Sequence, residues 1–219
     1  MTTNPELAAM WHDDITINGQ PYPTRHAAPD YGASTEVYRG DLADQQRDQM
    51  CAIHESAHAV AALVGHAYIH YAKIATTAVL KTAAPSDSGI PGGNVFACNF
   101  SDGQDLAVFL GAGERAEDRW LRQNDLWTPR RAVGVELGAY GDRREFLAAN
   151  PHFGFGADHN DYRVVHDLAD QLIAQHWDAI TAVADALATR LHLTGGQIAR
   201  IADLPNGTHS ATCTGTPAA

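Results

Sequence analysis

Residues 51–62 read Cys-Ala-Ile-His-Glu-Ser-Ala-His-Ala-Val-Ala-Ala, and this stretch contains the pattern His-Glu-x-x-His. On a helix, residues four apart lie one turn from each other on the same face, so the imidazoles of His54 and His58 can reach a single cation. Glu55 points about 100° away round the helix. It is therefore placed to hold a metal-bound water and take its proton, rather than to bind the metal itself. Two neutral imidazole nitrogens at this spacing predict a zinc site.

The residues around the motif favour a helix that buries one face. Apolar residues recur there at helical spacing, at Met50, Ile53, Ala57, Val60 and Val64. The alternative interpretation is an amphipathic helix whose two histidines are satisfied core residues, because a chain with twelve histidines can contain the motif by chance. The two histidines form a second stripe beside the apolar one, on a helix that would form without them. This placement favours the metal interpretation.

Composition bounds the class of protein. A chain of 219 residues with 45% hydrophobic residues predicts one moderately sized domain with a substantial core. The formal net charge of -11 disfavours nucleic acid and anionic membranes as partners. The three cysteines show no paired spacing, so we expect no disulfide framework and a reducing compartment. With no visible signal peptide or membrane span, the sequence predicts a cytoplasmic protein.

The spacing of apolar and helix-breaking residues divides the chain into three parts. We expect an N-terminal arm with a small hairpin over residues 1–40, a domain over 41–205 and a disordered polar tail over 206–219. The fold class predicted is α+β, mainly helical: the motif helix lies beside a small β-sheet, and a C-terminal helical bundle follows. The expected elements are a helix from 41–44 to 65, paired strands at 71–79 and 94–100, a helix at 102–124, a mixed and broken stretch at 129–156, a long helix from 160 with a break, and a last short helix to 204.

The third zinc ligand cannot be read from the motif. A catalytic zinc ion needs three protein ligands and one open position. The metzincin extension, His-Glu-x-x-His-x-x-Gly-x-x-His, fails because Ala61 and Val64 occupy the required positions. Downstream carboxylates can complete the site, and the pattern does not choose among them. The candidates are Glu114, Glu117, Asp158 and Asp161.

The order of motifs resembles the protease domain of the FtsH-type ATP-dependent zinc proteases over residues 44–204. The motif helix is similar to that family's helix leading into His-Glu-Ala-Gly-His-Ala, and the two predicted strands follow in the family's order. Three further stretches carry the resemblance: 110–118 is similar to Gly-Gly-Arg-Ala-Ala-Glu-Glu, 156–161 to Gly-Ala-Ser-Asn-Asp, and 193–198 to a segment near that domain's end.

The resemblance implies a zincin-like helix in a zinc hydrolase domain over 41–205, with His54 and His58 as zinc ligands and Glu55 as general base. It implies Asp161 as the third ligand; one extra residue before the Asn-Asp step keeps Asp158 as the alternative. The other role considered for Asp161 is a helix N-terminal carboxylate favoured by the helix dipole. Glu117 falls where the family keeps a carboxylate near the site, which implies that it orients a histidine. Its alternative role is a surface charge paired with arginines.

Two departures from the family matter for function. No Gly-x-x-x-x-Gly-Lys occurs, so the ATPase module is missing, and Ala57 replaces a glycine of the family's motif. Residues 119–155 differ from the family and are rich in arginine. They form either a salt-bridged surface or a pocket for a substrate carboxylate or phosphate. The candidate substrate-binding residues are Arg130, Arg131, Arg143 and Arg144.

Taken together, these features predict a zinc-dependent, ATP-independent metallopeptidase that hydrolyses extended or small substrates. One alternative is a zinc hydrolase that acts on a small-molecule amide in a biosynthetic pathway. Another is a metal-stabilised binding or scaffolding protein without turnover, which the presence of Glu55 disfavours. The expected partner is a peptide or small-molecule substrate, with no nucleic acid and no membrane. A homo-oligomer and a separate ATPase partner both stay open.

Overall fold

The fold is mostly helical with a small antiparallel sheet, which confirms the predicted α+β class. A computed structural model describes residues 11–12, 16–17, 20–26, 41–82, 92–149, 154, 161–210 and 213. The helices are α1 (Asp44–Val64), α2 (Thr77–Thr82), α3 (Gly103–Gln123), α4 (Pro129–Gly138), α5 (Tyr140–Ala149), α6 (Tyr162–Arg190) and α7 (Gly195–Ala202). The strands are β1 (Thr16–Ile17), β2 (Gln20–Pro21), β3 (Tyr68–Ile74), β4 (Gly93–Cys98) and β5 (His192–Thr194).

Helix α1 lies at the centre of the molecule, between α3, α6 and the sheet. It begins where the Gln46 side chain accepts a hydrogen bond from the backbone N–H of Ala43 at 2.9 Å. It ends at Gly65, as the sequence predicts. Its middle is rich in alanine and almost completely buried. Small side chains allow neighbouring backbones to approach closely, so the motif helix is packed on several sides.

The three-stranded sheet has the order β4-β3-β5, with both pairs antiparallel. The register places Tyr68 opposite Cys98 and Ile74 opposite Gly93, so β4 runs the full length of β3. The predicted strand at 71–79 is wrong beyond Ile74, because α2 begins at Thr77. There the Asp48 carboxylate accepts a hydrogen bond from the backbone N–H of Thr77 at 2.6 Å, which satisfies one free donor at the helix start.

Helix α6 contains the break that the sequence predicts between Leu172 and Ile180. His176 has non-helical angles, φ -118° and ψ 20°, and the helix bends there. Both halves still bury their apolar side chains against the rest of the core. After α6 and the short strand β5, Thr194 and Gln197 form a capping box that starts α7. The sequence predicts a turn at this point.

The stretch predicted as mixed forms two short helices, α4 and α5. Thr128 caps α4, because its side chain accepts a hydrogen bond from the backbone N–H of Arg131 at 3.2 Å, and Pro129 takes the first helical position. The N-terminal residues pack on both helices. The Tyr22 hydroxyl donates to the carbonyl of Glu136 in α4 at 2.5 Å.

Residues 206–210 and 213 belong to the stretch predicted as a disordered tail. In the structure Asn206 pairs with Ile69 of β3, and Cys213 reaches the end of β4. Cys98 and Cys213 form a disulfide across a sequence separation of 115 residues. The expectation of no disulfide is therefore wrong, because packing of the tail against β4 brings together cysteines that no spacing relates. In the described part of the chain, no helix combines the length and apolar character needed to cross a bilayer.

Candidate metal centre

Two imidazoles from α1 and one carboxylate from α5 converge on a single point. His54 Nε2 lies 2.9 Å from His58 Nε2, as their spacing on one helical face leads us to expect. Asp142 Oδ2 lies 3.2 Å from His54 Nε2 and 3.6 Å from His58 Nε2. Within the described residues, these three side chains form a group whose ligand atoms could hold one metal ion.

The geometry and the donor set of this group fit zinc. With bonds of about 2.0–2.1 Å, two ligand atoms of a tetrahedral zinc site lie about 3.3 Å apart. The three measured separations, 2.9, 3.2 and 3.6 Å, lie on both sides of that value. Two histidines and one carboxylate also match the ligand number of catalytic zinc sites, which keep a fourth position open.

The hydrogen bond on the far side of His58 sets its protonation. His58 Nδ1 lies 2.5 Å from the carbonyl oxygen of Phe109 on α3, and a carbonyl can only accept, so Nδ1 carries the proton. The lone pair of Nε2 then faces His54 and Asp142. A proton on His54 Nε2 could form a good hydrogen bond with only one of two acceptors, His58 Nε2 or Asp142 Oδ2. A metal ion could bind all three atoms at once.

The charges around the imidazoles favour a cation. Burial lowers the pKa of His54, but the hydrogen bond that His54 donates to Asp142 and the charge of the nearby Glu117 carboxylate outweigh burial and raise this pKa to about 10. Burial raises the pKa of Asp142, but the two imidazoles outweigh it and hold this pKa well below its usual range. A field that stabilises a proton on His54 also stabilises a divalent ion at the same place.

Glu55 lies in the wall of the same cavity as His54 and Asp142 but is not a member of this group. Burial raises the pKa of Glu55 to about 6, with the two imidazoles acting in the opposite direction. A pKa near neutrality suits a general base. Gly93, the first residue of β4, makes room for the carboxylate: a methyl group added at Gly93 would lie 2.4 Å from Glu55 Oε1.

Helix α3 closes the site from the other side through a second glycine. A methyl group added at Gly113 would lie 2.5 Å from His54 Nε2 and 2.6 Å from His58 Nε2. Real methyl groups do not come so close, so any other residue at this position would displace the imidazoles. Gly113 therefore lets α3 cross α1 directly over the metal-binding atoms.

A cavity of about 460 Å³ gives access to the site. Its wall includes His54, Glu55, Glu117 and Asp142, so Glu55 and two members of the candidate metal group face the same space. Apolar and basic side chains complete this wall, among them Met50, Cys51, Leu80, Arg47 and Lys81. A volume of this size lies within the range of small-ligand pockets, about 300–1,000 Å³.

The acidic member of the group is Asp142, not Asp161. Asp161 is the N-cap of α6, and its carboxylate accepts hydrogen bonds from the backbone N–H of Arg163 at 2.9 Å and from Arg163 Nε at 3.0 Å. This is the helix N-terminal role considered as its alternative. Asp158, the other predicted ligand, lies outside the described residues.

The two glutamates of α3 have different surroundings. Glu117 Oε1 lies 3.7 Å from His54 Nδ1, where it can orient the ring as the resemblance implies. Glu114, one turn earlier, is buried beside Arg143 and His166 and takes no part in the group. Of the acidic candidates on this helix, the structure therefore brings Glu117 to the site.

None of the four candidate substrate-binding arginines lies in the cavity wall. Arg143 is buried and donates to both carboxylate oxygens of Glu114. Arg131 donates to the Asp41 carboxylate, while Arg130 and Arg144 are exposed. Through these bonds Arg143, the neighbour of Asp142 in the sequence, links α5 to α3.

Asp142 and the two glycines are the site residues that sequence reasoning missed. Asp142 stands among arginines in a short helix with no spacing that relates it to the motif. Gly93 and Gly113 lie in stretches where glycine has several ordinary explanations. No local signal marks these three residues, because each acts through the packing of a distant element against α1.

No protein-family profile matches this chain, and no curated protein is significantly similar to it in sequence. The resemblance to the FtsH-type proteases therefore stays a prediction. What can be argued about function depends on the geometry of the site.

Proposed function

We propose that this protein is a zinc-dependent hydrolase that cleaves peptide bonds of extended or small substrates without ATP. The observation that carries the proposal is the convergence of His54 Nε2, His58 Nε2 and Asp142 Oδ2. Two of these residues, His54 and Asp142, line one cavity together with the buried Glu55. A general base next to three ligands with an open fourth position is an arrangement for hydrolysis.

Each side chain has a distinct task in this proposal. His54, His58 and Asp142 would hold the zinc ion, which supplies Lewis acidity to a carbonyl group when bound. Glu55 would take the proton of the attacking water on its carboxylate and later return it to the leaving amine. Glu117 would orient the ring of His54 through Nδ1.

The position of β4 supports a peptide as substrate. In the described part of the chain, β4 is an edge of the sheet, and its first residue Gly93 adjoins the Glu55 carboxylate. The outer edge of a strand presents backbone N–H and C=O groups that can pair with an extended peptide. A peptide paired with β4 would pass the general base. Folded proteins, whose backbone groups are already paired, would be poor substrates.

The cavity favours a second candidate, hydrolysis of a small-molecule amide. Its volume of about 460 Å³ suits a compact ligand, and Arg47 and Lys81 in its wall could bind an anionic group. The third candidate, a metal-stabilised binding protein without turnover, leaves the burial and raised pKa of Glu55 without a purpose. We keep the cytoplasm as the proposed location.

The test combines metal analysis with a digest of unstructured peptides. Purified protein should hold zinc, cleave peptides without ATP, and lose this activity with a chelator. Glu55→Gln should keep zinc but lose at least about 100-fold in turnover, the scale of general-base loss. The matched control is Glu145→Gln, an exposed glutamate on α5, which should keep full activity.

The outcomes separate the three candidates. Zinc binding with cleavage of amides but not of peptides would favour the small-molecule hydrolase. Zinc binding without turnover of any amide would favour the binding protein. These measurements use oxidised protein, in which the Cys98–Cys213 disulfide is intact. Zinc that remains bound to it after both His54→Ala and His58→Ala would overturn the assignment of the site.

A further inference from the structure

A second cluster of metal-binding side chains lies at the opposite end of β4 from Glu55. It consists of His70 on β3 and of His209 and Cys213 near the C-terminus. Cys98, at the end of β4, adjoins these three residues through its bond to Cys213 and its contact with His70. The ligand atoms of His70, His209 and Cys213 lie within 4.8 Å of one another. His70 Nε2 lies 3.0 Å from Cys213 Sγ and 3.6 Å from Cys98 Sγ.

Backbone and amide contacts bring the end of the chain to this place independently of the two sulfur atoms. The Asn206 side chain accepts from the backbone N–H of Ile69 at 2.8 Å and donates to the carbonyl of the same residue at 3.0 Å. The backbone N–H of Gly207 donates to the carbonyl of Ala67 at 3.1 Å. His209 is two residues after Gly207, so this backbone pairing places it near His70. The cluster therefore does not depend on the disulfide alone.

Aromatic rings fix the orientation of the two imidazoles. The ring of His70 stacks on Phe96 with centroids 4.4 Å apart, and the ring of His209 meets the edge of Tyr68 at 5.0 Å. The His70 and His209 rings are themselves 5.4 Å apart. A disulfide needs neither imidazole, so the convergence of two oriented rings on the sulfur pair is not explained by the disulfide.

The donor set is that of a structural zinc site. Two thiolates and two imidazoles form the Cys2His2 combination, which zinc binds tetrahedrally with all four positions filled. With zinc–sulfur bonds of about 2.3 Å and zinc–nitrogen bonds of about 2.0–2.1 Å, a sulfur and a nitrogen lie about 3.6 Å apart. The distances from His70 Nε2 to the two sulfur atoms, 3.0 and 3.6 Å, are close to this value.

We propose that Cys98, Cys213, His70 and His209 bind one zinc ion when the disulfide is reduced. A dithiol reductant breaks the sulfur–sulfur bond: it supplies two electrons and two protons, leaves two thiols on the protein and is itself oxidised to a disulfide. Zinc then displaces the two thiol protons and is held by two thiolates and two neutral imidazoles. The disulfide and the zinc site are alternative states of one cluster.

Both states fasten the end of the chain to the sheet, each in a different chemical environment. Under oxidising conditions the disulfide makes the link, and in a reducing compartment the zinc ion takes its place. Four protein ligands leave no open position, so this ion would stabilise the fold and would take no part in hydrolysis. The second site is independent of the proposed function.

The test compares reduced and oxidised protein loaded with cobalt(II) in place of zinc. A thiolate bound to cobalt(II) gives a charge-transfer absorption that imidazole and carboxylate ligands do not give. Reduced protein should show this band, oxidised protein should lack it, and zinc should abolish it by competition. Mass spectrometry under native conditions should count one more zinc ion per chain in the reduced protein than in the oxidised protein.

Variants assign the band to the four residues. Cys98→Ser, Cys213→Ser and His209→Ala should each abolish or strongly weaken it, and His209 is exposed, so its loss should leave the core folded. The matched controls are Cys51→Ser and His192→Ala, which should retain the band. Equal zinc content in the reduced and oxidised protein, or a band that survives in Cys213→Ser, would overturn the proposal.

Discussion

Helices α3 and α5 together build two buried clusters of acidic residues, and the two clusters are neutralised differently. In the first, Glu114 of α3 meets Arg143 of α5, with Arg143 Nε and Nη2 at 3.1 and 3.0 Å from Glu114 Oε2. In the second, Glu117 of α3 and Asp142 of α5 face the imidazole of His54. The same pair of helices thus carries both clusters, one turn apart on α3 and one residue apart on α5.

The comparison shows that burial of an acid does not by itself mark a functional site. The chain supplies the guanidinium that neutralises Glu114, so this cluster is complete within the protein. Around His54 lie three carboxylates, those of Glu55, Glu117 and Asp142, and these acids all raise the pKa of His54 against the effect of burial. An excess of buried negative charge, converging with lone pairs, is what indicates a bound cation.

The largest effect is expected from breaking the first cluster. Arg143→Met should lower the free energy of unfolding by about 3–5 kcal/mol, because it leaves the Glu114 carboxylate buried without its partner. Urea denaturation measures this change. Glu114→Gln combined with Arg143→Met should recover much of the loss, since both charges are then removed.

The control for that experiment lies next in the sequence. Arg144 is exposed, so Arg144→Met should change the free energy of unfolding by less than about 0.5 kcal/mol. If Arg143→Met changed the free energy of unfolding as little as Arg144→Met, the first cluster would not stabilise the fold. It would then not differ from the second cluster in the way described above.

Removing the carboxylate from the second cluster should act mainly on metal binding. Asp142→Asn should weaken zinc binding by more than about 100-fold, because the proposed site loses a direct ligand and loss of an orienting partner costs at most about 100-fold. In the absence of metal, this variant should also lose the stability that the contact between Asp142 and protonated His54 contributes. Isothermal titration with zinc and urea denaturation separate the two effects.

Asp161→Asn is the matched control for that change. Asparagine also caps helices well, and Asp161 contacts Arg163 outside the metal-binding group, so zinc affinity should not change. The opposite ranking of the two variants would return the third ligand to Asp161, the residue that the family resemblance implies.

The contribution of the first cluster to the free energy of unfolding should depend on pH. Burial raises the pKa of Glu114, but Arg143 and His166 outweigh burial and lower it to about 2. A depressed folded-state pKa adds stability that is complete above the ordinary value and is lost as the pH falls towards the folded value. The parent is therefore expected to lose this contribution between about pH 5 and pH 2.

The measurement is the difference in unfolding free energy between the parent and Glu114→Gln across this range. The difference should shrink by up to about 3 kcal/mol as the pH falls, because the parent alone has this carboxylate to protonate. The difference in unfolding free energy between the parent and Glu145→Gln, a change at an exposed residue, should stay small over the whole pH range. A difference for Glu114→Gln that is constant with pH would contradict the pairing.

Much of the fold could be predicted because its signals are local. The bounds of α1 follow from its apolar spacing and Gly65, and the start of α7 follows from Thr194 and Gln197. The extent of β3 could not be predicted in the same way. The β-branched residues after Ile74 favour a strand, but a carboxylate on α1 starts a helix there.

In the candidate site, too, residues related by local spacing could be predicted and residues brought together by packing could not. Its two histidines and Glu55 share one helix, so a spacing rule relates them. Asp142 and the cysteine pair Cys98 and Cys213 reach their places only through packing of distant elements, which no sequence period records. Composition leaves the arginine-rich stretch open between a salt-bridged surface and a substrate pocket, because it cannot tell a buried partner of Glu114 from a side chain that meets substrate.

The smallest effect is expected at Glu117, which touches the second cluster from behind. Its carboxylate lies 3.7 Å from His54 Nδ1 and is not one of the proposed ligands. If Glu117 only orients the ring, Glu117→Gln should weaken zinc binding by about tenfold, or about 1.4 kcal/mol. Glutamine keeps the shape of the side chain, which confines the change to charge. A loss as large as that of Asp142→Asn would make Glu117 a ligand, whereas no loss would leave it a buried acid like Glu114, with no part in the metal centre.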